Sequence, residues 1–444
     1  MPDADRGPSV GPPQAGPHPP GGSPGVPGRR GAVRSPAMPF IMITVLIDML
    51  SVGLIIPVLP TLVGRFTASP AEQVAWYGVI AFTYGFAQFV AAPVLGALSD
   101  RYGRRPVLLL GFCGLAINFF VTAMAWALWM LLASRLVGGA MQANAAVANA
   151  YVADISNPDE RAKRFGMLGA MFGIGFMLGP VLGGILGAID LQLPFYVAGT
   201  LALANLAYGY FVLPESLPAE RRRAVQLKAL NPVSSLHGLV KLKGVGLLVA
   251  VIALSGLAQF VLYTVWVLHG SLKFGWGPSE SGWSLFVIGV MSVLVQGFLL
   301  GKLLKVFSPQ RLALLGLLSS TLAFVAWGVA SQSWVVFVVI VANLFGFTTQ
   351  SAIQSIVSSA ADPTQQGEAM GAVSSLNSLM AVVAPMIATP LLGAVSHYPR
   401  GDWHIGAPLY FCAALQALSL LLAWQHFRSV RRAEAELPGA PASS

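Results

Sequence analysis

Asp48 and Arg135 are each of an unusual kind for the place where they stand. Each lies within an apolar stretch of about 20 residues, the length that crosses about 30 Å of hydrocarbon. Asp48 is the only acid, and Arg135 the only base, in the body of any such stretch. A carboxylate in hydrocarbon is costly, which favours its protonated form, so Asp48 suits a group that loads a proton on one side of a membrane and releases it on the other. A structural aspartate satisfied by hydrogen bonds would look the same in sequence. Arg135 cannot shed its charge and needs a partner or water. At a helical rise of about 1.5 Å per residue, Asp48 lies about 14 Å and Arg135 about 27 Å from the inner ends of their helices. The axial gap of about 13 Å disfavours a direct pair and points to coupling through water.

A second constellation is the hairpin Gly96-Ala97-Leu98-Ser99-Asp100-Arg101-Tyr102-Gly103-Arg104-Arg105-Pro106. One carboxylate and three arginines cannot sit in hydrocarbon, so this is a short turn between two spans. Topology alone accounts for the arginines. Asp100 is better explained as a gate whose charge complements arginines and the positive N-terminus of a helix from elsewhere in the molecule. Farther along, Gly175, Gly179, Gly183 and Gly187 recur every four residues, with Pro180 among them, on one helix face. Such a stripe permits close backbone approach, either as static packing or as a sliding contact. Gly282, Gly289, Gly297 and Gly301 offer a plausible partner face.

The elements that must position these residues are membrane spans. Hydrophobic residues make up 55% of the chain and charged residues 10%, against about 25% charged in soluble domains, and mean hydropathy is +0.71. Twelve spans are expected, near 39–62, 75–99, 106–127, 129–153, 165–189, 193–213, 245–270, 280–306, 311–331, 333–357, 369–396 and 405–428. With both termini in the cytoplasm, 22 of the 26 lysines and arginines fall on the inner side and only Arg65, Lys273 and Arg400 on the outer, the positive-inside pattern. The net charge of +9 therefore reflects topology and contact with anionic lipid, with no nucleic-acid partner expected.

This divides the chain into a disordered cytoplasmic tail (1–37), a six-helix bundle (38–213), a cytoplasmic linker (214–244), a second six-helix bundle (245–428) and a cytoplasmic tail (429–444). The Gly, Pro and Ser-rich first tail lacks the apolar core of a signal peptide. Cys113 and Cys412 lie in spans of opposite halves and read as small buried hydrophobes. No metal site is expected, because six scattered histidines form no ligand cluster. The absence of an H-E-x-x-H helix and of a phosphate-cradling loop argues against an enzyme and against ATP-driven transport.

Six plus six spans, with a hairpin matching G-x-L-S-D-R-x-G-R-R at every defined position, resemble the major facilitator superfamily. Ile47 to Pro60, Ala91 to Gly96, Ala150 to Ile155, Asp159 to Ala162, Phe172 to Gly184 and Leu213 to Ser216 resemble its tetracycline/proton antiporter group. The likeness covers nearly the whole first half and thins in the second. It implies an all-α fold of two six-helix bundles and a monomeric, multi-pass protein of the inner (plasma) membrane. It also implies export of an amphiphilic small molecule by alternating access, driven by the proton gradient without a cofactor. A symporter or metabolite exporter of the same fold is the alternative, and a membrane scaffold the alternative from another class.

On this resemblance Asp48 and Arg135 couple protons, Arg135 matching the family's fourth-helix arginine. Asp100, Arg101, Gly103, Arg104 and Arg105 hold the inner side closed, and the fifth-span glycines with Pro180 form the antiporter motif. Gln88 and Gln296 match drug-exporter positions, and Gln142, Asn144, Asn343 and Gln350 fall in cavity-lining spans. Trp266, with Phe260 and Tyr263, would stack on a flat substrate. Where the tetracycline group carries an acid, a histidine and another acid, this chain has Asn118, Ser292 and Ser320. Proton coupling then rests on Asp48, and substrates other than magnesium-chelated tetracycline stay open. The topology predicts that a cysteine at Ser216 resists a membrane-impermeant maleimide in intact cells and reacts in everted vesicles, while a cysteine at Thr67 does the reverse.

Overall fold

Proline occupies the first turn of four long helices, at Pro70, Pro158, Pro278 and Pro309, where its missing N–H costs nothing. The Ser69 hydroxyl accepts from the Glu72 N–H at 3.2 Å and the Ser308 hydroxyl from the Arg311 N–H at 3.3 Å. Glu280 reaches back to the Gly277 N–H at 2.9 Å. These caps stop each span before the next begins.

The computed structural model describes residues 37–142, 144–222, 246–360 and 366–435. The expected first tail, most of the linker and the end of the last tail lie outside the described residues. The chain forms α1 (Ala37–Ile55), α2 (Leu59–Gly64), α3 (Pro70–Tyr102), α4 (Arg104–Ala123), α5 (Leu128–Gln142), α6 (Asn144–Ile155), α7 (Pro158–Ile189) and α8 (Leu193–Val212). After the linker come α9 (Gly246–Phe274), α10 (Pro278–Leu294), α11 (Leu300–Val306), α12 (Pro309–Val329), α13 (Ser333–Ala342), α14 (Thr349–Ala360), α15 (Gln366–Ala394) and α16 (Ala407–Ala435). No strand occurs among the described residues.

Ten helical stretches are long and apolar enough to cross a membrane, or eleven if α13 and α14 form one bent span. The expected fourth span corresponds to α5 and α6, with residue 143 between them outside the described residues. The expected tenth is bent by 55° between α13 and α14. There the Asn343 side chain accepts from Ser319 at 2.8 Å, and a Cβ on Gly346 would lie 2.2 Å from that same side chain. The expected eighth span carries a π-helical turn, Val295–Leu299, between α10 and α11.

Helices α1 to α8 pack on one another, as do α9 to α16, and the two groups meet chiefly along α7 with α10 and α3 with α15. Glycine stripes show how they meet. On α7 the face that continues from Gly184 through Met177 to Gly173 and Gly169 lies on the side of α10 and its continuation, which carry Gly282 and Gly289 on α10, Gly297 on the π-helical turn and Gly301 on α11. A Cβ on Gly184 would lie 2.5 Å from the Pro278 carbonyl, one on Gly282 2.4 Å from the Pro180 carbonyl, and one on Gly289 2.9 Å from Met177. Gly169, Gly173, Gly297 and Gly301 meet nothing within 4 Å. Helix α3 repeats the pattern: Gly78 abuts Thr389 and Gly85 faces Ala381, but Gly96 has no neighbour. The bundles therefore touch at one face and part toward the face that carries the arginine-rich hairpin.

The four-residue glycine stripe meets α1 rather than the Gly282 set expected as its partner, and only Gly187 also nears α10, at Pro278. The stripe is pressed against α1. Cβ atoms on Gly175, Gly179 and Gly183 would fall 2.6 Å from Met49 Cβ, 2.6 Å from Gly53 Cα and 2.0 Å from the Leu54 carbonyl oxygen, and one on Gly187 2.7 Å from Val58. Helix α7 has two glycine faces, and a period of four on one of them does not say which neighbour it meets. Overpacking of this kind costs about 1–3 kcal/mol even where side chains can yield. Gly183→Val, set against backbone, is expected to lower the unfolding temperature in detergent by many degrees or to prevent accumulation, whereas Gly297→Ala should unfold like the parent.

Candidate functional site

Between the two bundles lies a cavity of about 590 Å³, within the size range of small-molecule sites. From the first bundle it is lined by Tyr77, Tyr84, Gln88, Asn118, Arg135 and Gln142, and from the second by Phe260, Tyr263 and Trp266, with aliphatic side chains between. One wall is thus polar with a fixed cation, and the other is aromatic.

Arg135 is 5% exposed. Its Nη2 donates to the Thr122 hydroxyl at 3.1 Å, and its guanidinium lies 5.9 Å from the Tyr84 ring centroid. The ring quadrupole and the hydroxyl replace part of the lost water. Its Nε has no protein partner. Asp48 is 9% exposed, with the Gln142 side chain within hydrogen-bonding reach. Gln142 also lines the cavity, so it connects the acid to the substrate space. Among the described residues no ion pair joins Asp48 to Arg135.

The remaining candidates lie elsewhere. Asn144 is buried and donates to the Leu108 carbonyl at 3.0 Å. Gln296 donates to the Ser292 hydroxyl at 2.6 Å on the π-helical turn, Asn343 is held at the α13–α14 bend, and Gln350 is exposed beyond it. None of the four lines this cavity. The π-helical turn Val295–Leu299 and the bend at Asn343 rotate the following turns, an effect that straight helical wheels do not anticipate. Trp266 does reach the cavity, but its indole N–H donates to Ser284 at 2.9 Å and its ring stands edge-on to Trp327 at 5.1 Å. It is a fixed wall.

The hairpin is bound to its own bundle. Arg104 is 8% exposed and reaches Asp100 at 2.7 Å, Asp154 at 3.0 Å and the Ser99 hydroxyl at 2.5 Å. Asp100 is about half exposed, with Arg104 one turn along as its ion-pair partner. Arg105 donates to the Tyr210 carbonyl and lies over its ring. Gly103 has φ of +106°, a conformation open to glycine, and a Cβ there would fall 2.4 Å from Glu215. Glu215 accepts from the backbone N–H groups of Arg104 at 2.8 Å and Arg105 at 3.3 Å, and from Ser216 and Leu217 at 3.0 Å each. A carboxylate here answers the partial positive charge at the start of α4. Neither Glu215 nor Asp154 stood out as functional in sequence, although both sit in segments that carry the resemblance. Their charges, each next to a tight turn, were the available signal. Across the molecule the Asp402 carboxyl, in the loop before α16, is held below the ordinary carboxylate range by the His404 backbone N–H.

An amphiphilic cavity between two helix bundles that meet at one face and part at the other is the architecture of an alternating-access transporter. The sequence matches the Major Facilitator Superfamily over residues 41–385, and the chain belongs to that family: it is a multi-pass membrane transport protein and not an enzyme. It is 38% identical over 375 residues to the class C tetracycline resistance protein of Escherichia coli, covering 84% of this chain and 94% of that protein. Identity to the class B tetracycline resistance protein of Escherichia coli is 31% over 383 residues, covering 86% and 95%. Multidrug resistance protein 2 of Bacillus subtilis (strain 168) is 27% identical over 364 residues, covering 81% and 89%.

Among solved structures, the human organic anion transporter MFSD10 (TETRAN) superposes with a TM-score of 0.65 at 24% identity, covering 87% of this chain and 98% of that one. The inward-facing, unoccupied form of a bacterial homolog of the human lysosomal transporter Spinster gives 0.69 at 15% identity, covering 91% and 98%. Both show the fold. The hairpin geometry predicts that Glu215→Ala, which removes the acceptor of four backbone N–H groups, costs about 1 kcal/mol of stability, read as a lower unfolding temperature that Glu215→Asp partly restores.

Proposed function

We propose that this chain is a proton-coupled exporter of amphiphilic small molecules of the tetracycline type, in the inner (plasma) membrane, acting as a monomer. The observation that carries this reading is the cavity itself: a cation and amides on one wall, aromatic rings on the other, and a membrane-buried carboxyl one side chain away. Arg135 attracts the anionic or polar edge of a substrate, and Phe260 and Tyr263 pack on its apolar face. Gln142 relates cavity occupancy to Asp48. The names of the class C and class B relatives support the substrate class.

With the arginine-rich side as the cytoplasmic side, the separation of Gly169 and Gly173 from Gly297 and Gly301 is the loading state. Substrate enters as Asp48 gives up its proton. Closing this side would bring the exposed Asp100 and Arg101 of the hairpin to the second bundle, and opening the other side would part Gly184 from Pro278. Asp48 then reloads from outside and returns the empty carrier. Asn118, Ser292 and Ser320 carry no proton, so the cycle uses the one acid.

The test is discharge of a respiration-driven pH gradient in everted vesicles on adding tetracycline with magnesium, then a panel of lipophilic drugs. Tetracycline should discharge the gradient, and Asp48→Asn should abolish the response. Discharge only by other compounds would move the substrate assignment. No response at all, or unchanged behaviour of Asp48→Asn, would overturn proton coupling at Asp48.

A further inference from the structure

Asp48 faces a second, much smaller space on the side away from the substrate cavity. This pocket is lined by Thr44, Val45, Leu108, Phe112, Asn144, Ala148 and their neighbours as well as by Asp48. On α1 and α4, Thr44, Val45, Leu108 and Phe112 lie nearer the arginine-rich face, whereas the cavity residues Val52, Ile55, Leu115 and Asn118 lie farther from it. The carboxyl therefore stands between two compartments. Its accessible volume is about 10 Å³, which is about the room one water needs.

The walls are apolar except at three points, and two of those are unpaired. Thr44 Oγ1 and Asn144 Oδ1 have no hydrogen-bond partner, in residues only 1% and 2% exposed. Buried polar atoms left without a partner are costly, which calls for a bound group that satisfies them. With the Asp48 carboxyl they make three oxygens around one water-sized space, matching the 2–4 polar contacts of a buried water. Three acceptors also suit a hydronium ion, which donates three hydrogen bonds.

We propose that this pocket is a hydration site through which Asp48 exchanges its proton with the arginine-rich side, inside the first bundle and apart from the substrate cavity. The inference rests on Asp48 being the proton carrier. In the step, the carboxyl O–H of Asp48 breaks and its proton passes to the water. The resulting hydronium is held by Thr44 Oγ1, Asn144 Oδ1 and the new carboxylate, and it passes a proton to bulk water on the arginine-rich side and is left as water; in detergent, with no gradient, the same step runs in reverse. Substrate seated in the cavity then leaves the proton path clear. The titratable group that interacts with Asp48 from a neighbouring helix is Tyr84 of α3, which also meets Arg135 of α5. Helix α8 presents Asn205, whose amide donates to the Thr44 carbonyl at 3.0 Å, and α4 and α7 present Leu108, Phe112 and Phe172 to the pocket.

The proton itself is the probe. In the purified full-length protein, the infrared band of the protonated carboxyl is followed after a rapid pH jump, and the band lost in Asp48→Asn is assigned to Asp48. Thr44→Val, nearly isosteric but without the hydroxyl, is expected to slow protonation of Asp48 at least tenfold, and Thr44→Ser to restore it. Ala148→Val, which fills the pocket without touching a polar group, should slow it as well and covers the case in which Thr44→Val fails to fold. Parent-like rates in Thr44→Val and Ala148→Val, or equal slowing in Thr44→Ser, would overturn the route while leaving Asp48 as carrier. If Asp48→Asn removes no carboxyl band, the carrier assignment fails and the route falls with it.

Discussion

The organisation of this molecule depends on the contact of α1 with α7. Four glycines bring the two backbones so close that a single methyl at Gly183 would lie 2.0 Å from a carbonyl oxygen. At that distance the helices move as one body, because interiors this densely packed have few alternative arrangements. Gly175 meets Met49, the neighbour of Asp48, so the height of the acid in the membrane is set by this contact. The opposite face of α7 carries Met177, Pro180 and Gly184 to α10. The helix that forms the contact between bundles is thus rigidly joined to the helix that carries the acid, and motion of one bundle against the other is transmitted to Asp48 without an intermediate.

The polar parts of the cavity follow from the same economy of charge. Arg135 has no acid to pair with among the described residues, and its burial is made tolerable by a hydroxyl and an aromatic face. A counter-ion would neutralise the cavity permanently. On the proposed mechanism its absence leaves an attractive site for a substrate's own polar or anionic edge, and leaves Asp48 to change charge independently.

Much of the fold was legible in residue types. Ser-Pro and Gly-Pro at span starts, arginines on one side and apolar runs of spanning length fix where helices begin and which parts are charged, because these depend on local hydrogen bonding and transfer energies. Gln88, Gln142 and Trp266, expected in the substrate cavity, line the space between the bundles, and so does Arg135, which was expected to couple protons. What was not legible depends on helix rotation. Asn144 turned inward to a separate pocket, Asn343 was consumed by the bend it stabilises, and Gln296 sits on a π-helical turn. Hydropathy carries no information about rotation, and Gln296 and Asn343 lie within irregular turns that reset it. Glu215 was missed for another reason: its role comes from 111 residues of separation to Arg104, a contact that no local pattern encodes.

A single acid in the body of the spans also bounds the work the carrier does. Moving one elementary charge through 100 mV is worth about 2.3 kcal/mol, and about 1.4 kcal/mol corresponds to a factor of ten in concentration. On the proposed mechanism, one proton exchanged for one neutral substrate therefore sustains a ratio of roughly 50-fold for each 100 mV of proton-motive force. A second acid would square that ratio and halve the turnovers per proton. With Asn118, Ser292 and Ser320 neutral, the proposed mechanism is geared for flux at shallow gradients.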